Sequence, residues 1–214
     1  MPAPPNPKIY HITHLENLAG IVDDVIWSDA ERIERDLNCT VVGMSEIKRR
    51  RLEDIEVDCR PGTMVGEYVP FYFCPRSIML YILHTGNSPD LSYRGGQRPV
   101  LHLQADLDSV FDWLEENGRR WAVSNGNAGA YYTTFQADRV AIEDLDWNAI
   151  RATDWRNPDI KEHKQAEFLV YQSFPWELIE LIGVYDQATA DTVEQAISEA
   201  AHRPEVRVQR NWYY

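Results

Sequence analysis

The chain has 214 residues, of which 44% are hydrophobic and 11% aromatic, and its formal net charge is −13. This composition excludes a disordered chain and supplies enough apolar surface for one real core. The acidic balance excludes a protein that coats nucleic acid through bulk charge, so any such binding must use a local patch.

Taken in chain order, the Pro-rich residues 1–7 are expected to be a flexible arm with no apolar signal region. The spacing predicts a strand at "KIYHIT". A helix follows, where Leu15, Leu18, Ile21 and Val22 recur at helical intervals. "WSDAERIERDLN" predicts a turn and a short helix. Residues 43–52, "GMSEIKRRRL", predict a helix with Ser45 as its N-cap. "DCRPGTMVGEY" has loop composition, "VPFYF" is a strand and "CPRS" a turn. "SIMLYILHTG" fits a short helix and a buried strand equally well. "PVLHLQADL" predicts a strand, and "SVFDWLEENG" a helix closed by Gly118.

Residues 119–135, "RRWAVSNGNAGAYYTTF", carry Gly126, Gly129 and two Asn, and are expected to form a long mobile loop of the kind that serves function. "DLDWNAIRATDW" predicts a short helix and then an extended piece. "AEFLVY" and "PWELIELIGVY" predict strands, "TADTVEQAISEA" an amphipathic helix and "EVRVQRNWYY" a final strand. There is no repeat, no phosphate-binding glycine motif and no regular βαβ period. The expected architecture is α+β in a single domain over 1–214, with a split mixed or antiparallel sheet core flanked by helices.

The three cysteines, Cys39, Cys59 and Cys74, are odd in number and lack a CxxC pair. They are expected to be small buried hydrophobes rather than a disulfide framework or a zinc site. No apolar stretch approaches the roughly 18 residues of a membrane span. A cytoplasmic monomer with no membrane partner and no metal is expected.

Four places can carry chemistry. At "IYHIT", His11 and Thr13 can offer an imidazole and a hydroxyl to a ribose, and the Ile12 backbone can pair with an amide; a His satisfied inside a sheet is the alternative. At "VPFYFCPRSIMLY", Tyr72, Ser77 and Tyr81 can frame a flat ring, against plain core packing. Lys48-Arg49-Arg50-Arg51 is a local cation cluster, against a solvated helix surface. Glu167, at the head of the strand "AEFLVY", places an acid at the edge of the core, against an ordinary edge residue.

The order of these pieces is informative. A His on the first strand, a Tyr-bearing strand followed by a Ser turn, and a later strand-borne Glu resemble the H-Y-E layout of ADP-ribosyltransferases. "YHIT" departs from that superfamily's usual pattern in carrying Ile12 in place of Gly. "YHITHLENLAGI", "EIKRRR", "VPFYFCPRSIMLY", "SNGNA", "KQAEFLVY" and the final "YY" together resemble the DarT family, the DNA ADP-ribosyltransferase toxins of DarT–DarG toxin–antitoxin systems. The resemblance runs from about residue 9 onward.

The resemblance implies an ADP-ribosyltransferase-like fold. It also implies transfer of ADP-ribose from NAD, as co-substrate, to a base of single-stranded DNA with release of nicotinamide. Thymine is expected rather than guanine, and a macrodomain antitoxin is the expected protein partner. It implies catalytic roles for Glu167 and Arg51, with Arg49 and Arg50 as the alternatives to Arg51 should the register differ by one or two. NAD contacts are expected from His11, Ile12, Thr13, Gly20, Arg51, Tyr72 and Ser77. DNA contacts are expected from Arg49, Arg50, Arg119, Arg120 and Tyr132. A target in RNA or protein, or a nucleotide-binding module without catalysis, remains the alternative.

Overall fold

The computed structural model describes residues 2–214. Ten strands are present among them: β1 (Lys8–His14), β2 (Val25–Trp27), β3 (Tyr68–Tyr72), β4 (Val100–Asp106), β5 (Trp121–Asn127), β6 (Phe135–Gln136), β7 (Ala166–Tyr171), β8 (Ser173–Pro175), β9 (Ile179–Val184) and β10 (Glu205–Val208). Eight of them form one sheet in the order β10-β9-β4-β1-β3-β7-β5-β6, and β2 pairs with β8 in a second. Only β9 and β10 run parallel; every other pair is antiparallel. The expected mixed sheet core flanked by helices is what the chain forms.

The central strands are covered on both faces. In β4, Val100, Leu101, Leu103 and Ala105 are all fully buried, and in β7 so are Phe168, Leu169 and Val170. Such strands read as continuous apolar runs without alternation. The largest core cluster joins the sheet to helix α1 (Leu18–Asp23), α5 (Leu107–Glu116), α7 (Trp147–Arg151) and α9 (Gln187–Ala196). The remaining helices are α2 (Asp29–Glu34), α3 (Ser45–Glu53), α4 (Ile78–Thr85), α6 (Val140–Glu143) and α8 (Pro158–His163). None of the described helices is long and apolar enough to cross a membrane.

Local chemistry sets the helix ends. Ser28, Asp106 and Asp186 accept hydrogen bonds from the first-turn N–H groups of α2, α5 and α9. "SIMLYILHTG" resolves as helix α4 because Ser77 Oγ caps its start and Gly86, at φ 62°, ends it in the left-handed conformation.

Three expectations are corrected. Ser45 is the first residue of α3 rather than its cap; Met44 occupies that position and offers no side-chain bond. Trp121–Asn127 is strand β5, paired with β7, so the irregular segment is confined to residues 128–134. Its Gly and Asn residues have loop composition, yet Ala122 and Val123 are both buried, which removes the alternation that marks a strand. The N-terminal arm is tied down at Pro7, which is buried and whose carbonyl accepts from the Leu107 N–H at 3.0 Å.

Candidate active site

The sheet register builds the site. Tyr10 on β1 lies opposite Tyr72 on β3, and Tyr72 lies opposite Glu167 on β7. Three adjacent strands therefore present Tyr10, Tyr72 and Glu167 in one row. Beside this row is a cleft of about 460 Å³. His11, Ile12 and Thr13 line it from β1, Asp29 from α2, Lys48 and Arg51 from α3, and Tyr72 from β3. Gly20 and the coil 37–43 complete its wall.

Glu167 is only 2% exposed. Arg51 Nη1 donates to both of its carboxylate oxygens, at 3.0 and 2.9 Å. The Ala128 N–H reaches Oε1 at 3.3 Å, and the Glu167 N–H donates to Ser124 Oγ at 3.0 Å. The acid is thus held by a cation, a loop amide and its own strand. Arg51 is mostly covered, its side chain 11% exposed, and its buried Nη2 has no partner. Burial works against the guanidinium charge, but the Glu167 carboxylate, with Tyr72 and Asp29 nearby, raises the pKa overall. Arg51 is a fixed cation. Burial, reinforced by Glu167, pushes the Tyr72 hydroxyl well above its ordinary range, so Tyr72 remains a neutral donor.

His11 Nδ1 lies 2.9 Å from the Pro70 carbonyl. A carbonyl only accepts, so Nδ1 carries the proton and Nε2 is the free acceptor. Burial lowers the His11 pKa, which keeps this neutral tautomer in place.

Two features of the cleft were not singled out in the sequence. Asn17 Oδ1 accepts from the Thr40 N–H at 2.8 Å, and its Nδ2 donates to Thr13 Oγ1 and the Thr40 carbonyl. It staples the cleft's coil wall to β1. Asp29 binds Lys48 Nζ at 2.6 and 2.8 Å, and Lys48, opposing the burial cost, lowers its pKa. An Asn three residues past a strand and an Asp in a helix's first turn are common in helix starts, so neither stands out by spacing.

Of the expected cofactor contacts, His11, Ile12, Thr13, Gly20, Arg51 and Tyr72 line the cleft. Ser77 does not: it is fully buried, and its hydroxyl accepts from the Leu80 N–H at 3.1 Å as the cap of α4. The expected DNA contacts are scattered. Arg49 is engaged by Glu46, Glu53 and Asp54 within 3.2 Å, so its charge is already matched. Arg119 is a structural residue, bonding the Tyr171 carbonyl and Ser173 Oγ. Arg120 lies over the Tyr171 ring at 3.5 Å. Arg50 approaches the ring of Tyr131, and exposed Tyr132 donates to Glu162 at 3.0 Å.

Comparison with solved structures places this fold beside "Thermus sp. 2.9 DarT in complex with ADP-ribosylated ssDNA", with a TM-score of 0.90 at 34% identity, covering 100% of this chain and 99% of the other. The same Thermus sp. 2.9 protein in complex with NAD+ matches at a TM-score of 0.80 and 34% identity, over 99% of this chain and 100% of that one. A protein of Thermus aquaticus named "DNA ADP-ribosyl transferase" is 40% identical over 209 residues, 96% of this chain and 88% of that protein. A cleft lined by a His and a Tyr from the sheet and by an Arg whose partner is a buried strand-borne Glu, in this fold, defines an ADP-ribosyltransferase. The family model described as "DarT: ssDNA thymidine ADP-ribosyltransferase, DarT" matches residues 10–214, and the chain belongs to that family.

Proposed function

We propose that this chain transfers ADP-ribose from NAD to thymine in single-stranded DNA, with Glu167 and Arg51 as the catalytic pair. The observation that carries the reading is the buried Arg51–Glu167 contact at the edge of the cleft. His11, Ile12, Thr13, Gly20 and Tyr72 hold NAD along the rest of it. As the nicotinamide–ribose bond breaks, positive charge develops on the sugar. A rigid carboxylate stabilises that charge and can hold a ribose hydroxyl. Neutral nicotinamide leaves, and a new bond forms between the sugar carbon and a thymine ring nitrogen, whose proton is released. Arg51, kept cationic, is a poor base. It stabilises the deprotonated ring electrostatically instead, and its unpartnered Nη2 supplies a donor for that purpose.

The biological setting proposed is that of a cytoplasmic toxin restrained by a macrodomain antitoxin. A Thermosipho africanus relative named "DNA ADP-ribosyl transferase-DNA ADP-ribosyl glycohydrolase fusion protein" supports this, at 26% identity over 89% of this chain and 46% of that protein.

The test is purified protein with NAD and mixed single-stranded oligonucleotides, read by mass spectrometry beside Glu167→Ala. A gain of one ADP-ribose on thymine-containing DNA, absent in the variant, establishes the reaction, the acid and the base. A gain confined to RNA or protein replaces the DNA reading.

A further inference from the structure

With Arg49 and Arg119 committed to other partners, the bases flanking the target need another surface. A row of rings stands beside the loop that follows Tyr72. Tyr81 on α4 meets Trp155 at 4.8 Å and Tyr214 at 5.1 Å between ring centroids, both edge-on. His84 stacks on Tyr214 at 6.2 Å. Tyr81 is 37% exposed, and Trp155 and Tyr214 are half-buried, so rings reach the surface as a group.

A cation accompanies them. Arg76 lies over the Tyr214 ring at 4.3 Å, and its buried Nε has no partner. No ion pair engages Arg76 among the described residues, in a chain of net charge −13. The neighbouring charges on the Trp155 segment, Asp154 and Arg156, satisfy each other at 2.5 Å. The row is also fixed to the catalytic strands. Buried Lys164, just ahead of β7, donates to the Ile150 carbonyl at 2.8 Å and to Cys74 Sγ at 3.5 Å. It thereby clamps the segment bearing Trp155 to the loop bearing Arg76. Arg76 follows Tyr72 by only four residues, so their Cα atoms are at most about 14 Å apart.

We infer that Tyr81, Trp155 and Tyr214, with Arg76, form a stacking platform for a base next to the modified thymine in single-stranded DNA. This rests on the reaction proposed above. Clustered aromatic rings beside a cation with no ion pair are the chemistry that holds single strands with little sequence demand, because every base has a π-face that can stack on them.

The test measures KM for a short thymine-bearing oligonucleotide, KM for NAD and kcat in the wild type, Tyr81→Ala, Tyr81→Phe and the Tyr81→Ala/Trp155→Ala double variant. KM for DNA should rise about tenfold or more in the alanine variants and stay near wild type in Tyr81→Phe, with KM for NAD unchanged. Replacing flanking bases one at a time by abasic sites should weaken the wild type at one position and leave the double variant indifferent there. Should the double variant not fold, Arg76→Gln serves, and its DNA affinity should lose about one unit of salt slope. An unchanged KM for DNA in Tyr81→Ala and an unchanged salt slope in Arg76→Gln would overturn the platform. Failure of the wild type to modify any oligonucleotide would instead overturn the reaction on which it rests.

Discussion

Arg51 and Glu167 meet through a single guanidinium nitrogen that donates to both carboxylate oxygens, at 3.0 and 2.9 Å, with both side chains almost wholly buried. One nitrogen spanning two oxygens leaves the second nitrogen, Nη2, uncommitted. The pair is therefore matched in charge but unfinished in hydrogen bonding.

Removing one partner strands a buried charge. Arg51→Met or Glu167→Leu alone should each cost about 3–5 kcal/mol in urea unfolding, whereas the double variant should recover much of that loss. Costs that simply add would show that the two groups do not depend on each other. Glu167→Gln separates chemistry from stability. It keeps the shape of the side chain and one oxygen that accepts from Arg51 Nη1, so transfer should fall about 100-fold or more while the unfolding cost stays below that of Glu167→Leu.

Gly66 sets the position of the helix that carries Arg51. A Cβ there would lie 2.6 Å from Leu52 Cδ2 and 2.9 Å from the Leu52 Cα. Backbone cannot yield as a side-chain tip does. Gly66→Ala should destabilise by about 1–3 kcal/mol and push α3 off Glu167, lowering kcat out of proportion to the thermal shift. A variant that melts early but turns over normally would refute the link.

His102 imposes a pH dependence on stability. It is fully buried, its Nε2–H donates to the Pro75 carbonyl at 2.9 Å and its Nδ1 has no partner. Burial lowers its pKa from 6.5 to about 4. Between those values the unfolded chain binds a proton that the folded chain refuses. The contribution is thus complete above pH 6.5 and is lost as pH falls toward 4, for a total of about 3 kcal/mol. Urea unfolding of His102→Gln should show a shallower decline over that window than the wild type; parallel curves would exclude the assignment.

Arg49→Ala should be nearly silent. Its ion pairs with Glu46, Glu53 and Asp54 are exposed, so stability should change by less than about 1 kcal/mol. KM for DNA should stay within about twofold, a surface ion pair having little else to contribute. A large rise would return Arg49 to the DNA surface.

The sequence made part of this legible. β1, β3 and β7 were readable because their apolar runs are bounded by clear breakers, and with them came His11, Tyr72 and Glu167. Arg51 was reached through resemblance, since nothing local separates it from Arg49 and Arg50; only the fold gives one of them a buried acid and another three surface acids. β5 was hidden because burial on both faces erases alternation and its Gly126 and Asn residues imitate a loop. Ser77 was ambiguous for a related reason: a Ser after a turn serves a ligand and a helix cap equally well, and here its hydroxyl accepts from the Leu80 N–H, away from the cleft. Asn17 and Asp29 acquire their partners across 23 and 19 residues of chain, beyond any local pattern.

That distance has a further side. Arg51 and Glu167 are 116 residues apart in the chain, and β3, which lies between β1 and β7 in the sheet, pairs with both of them. Contacts of such separation form late and slowly, because loop closure must precede them. A growing polypeptide emerging from the ribosome has β1 long before Glu167. Synthesis itself thus imposes a delay, and a shortened product that stops before β7 lacks the Arg51–Glu167 contact.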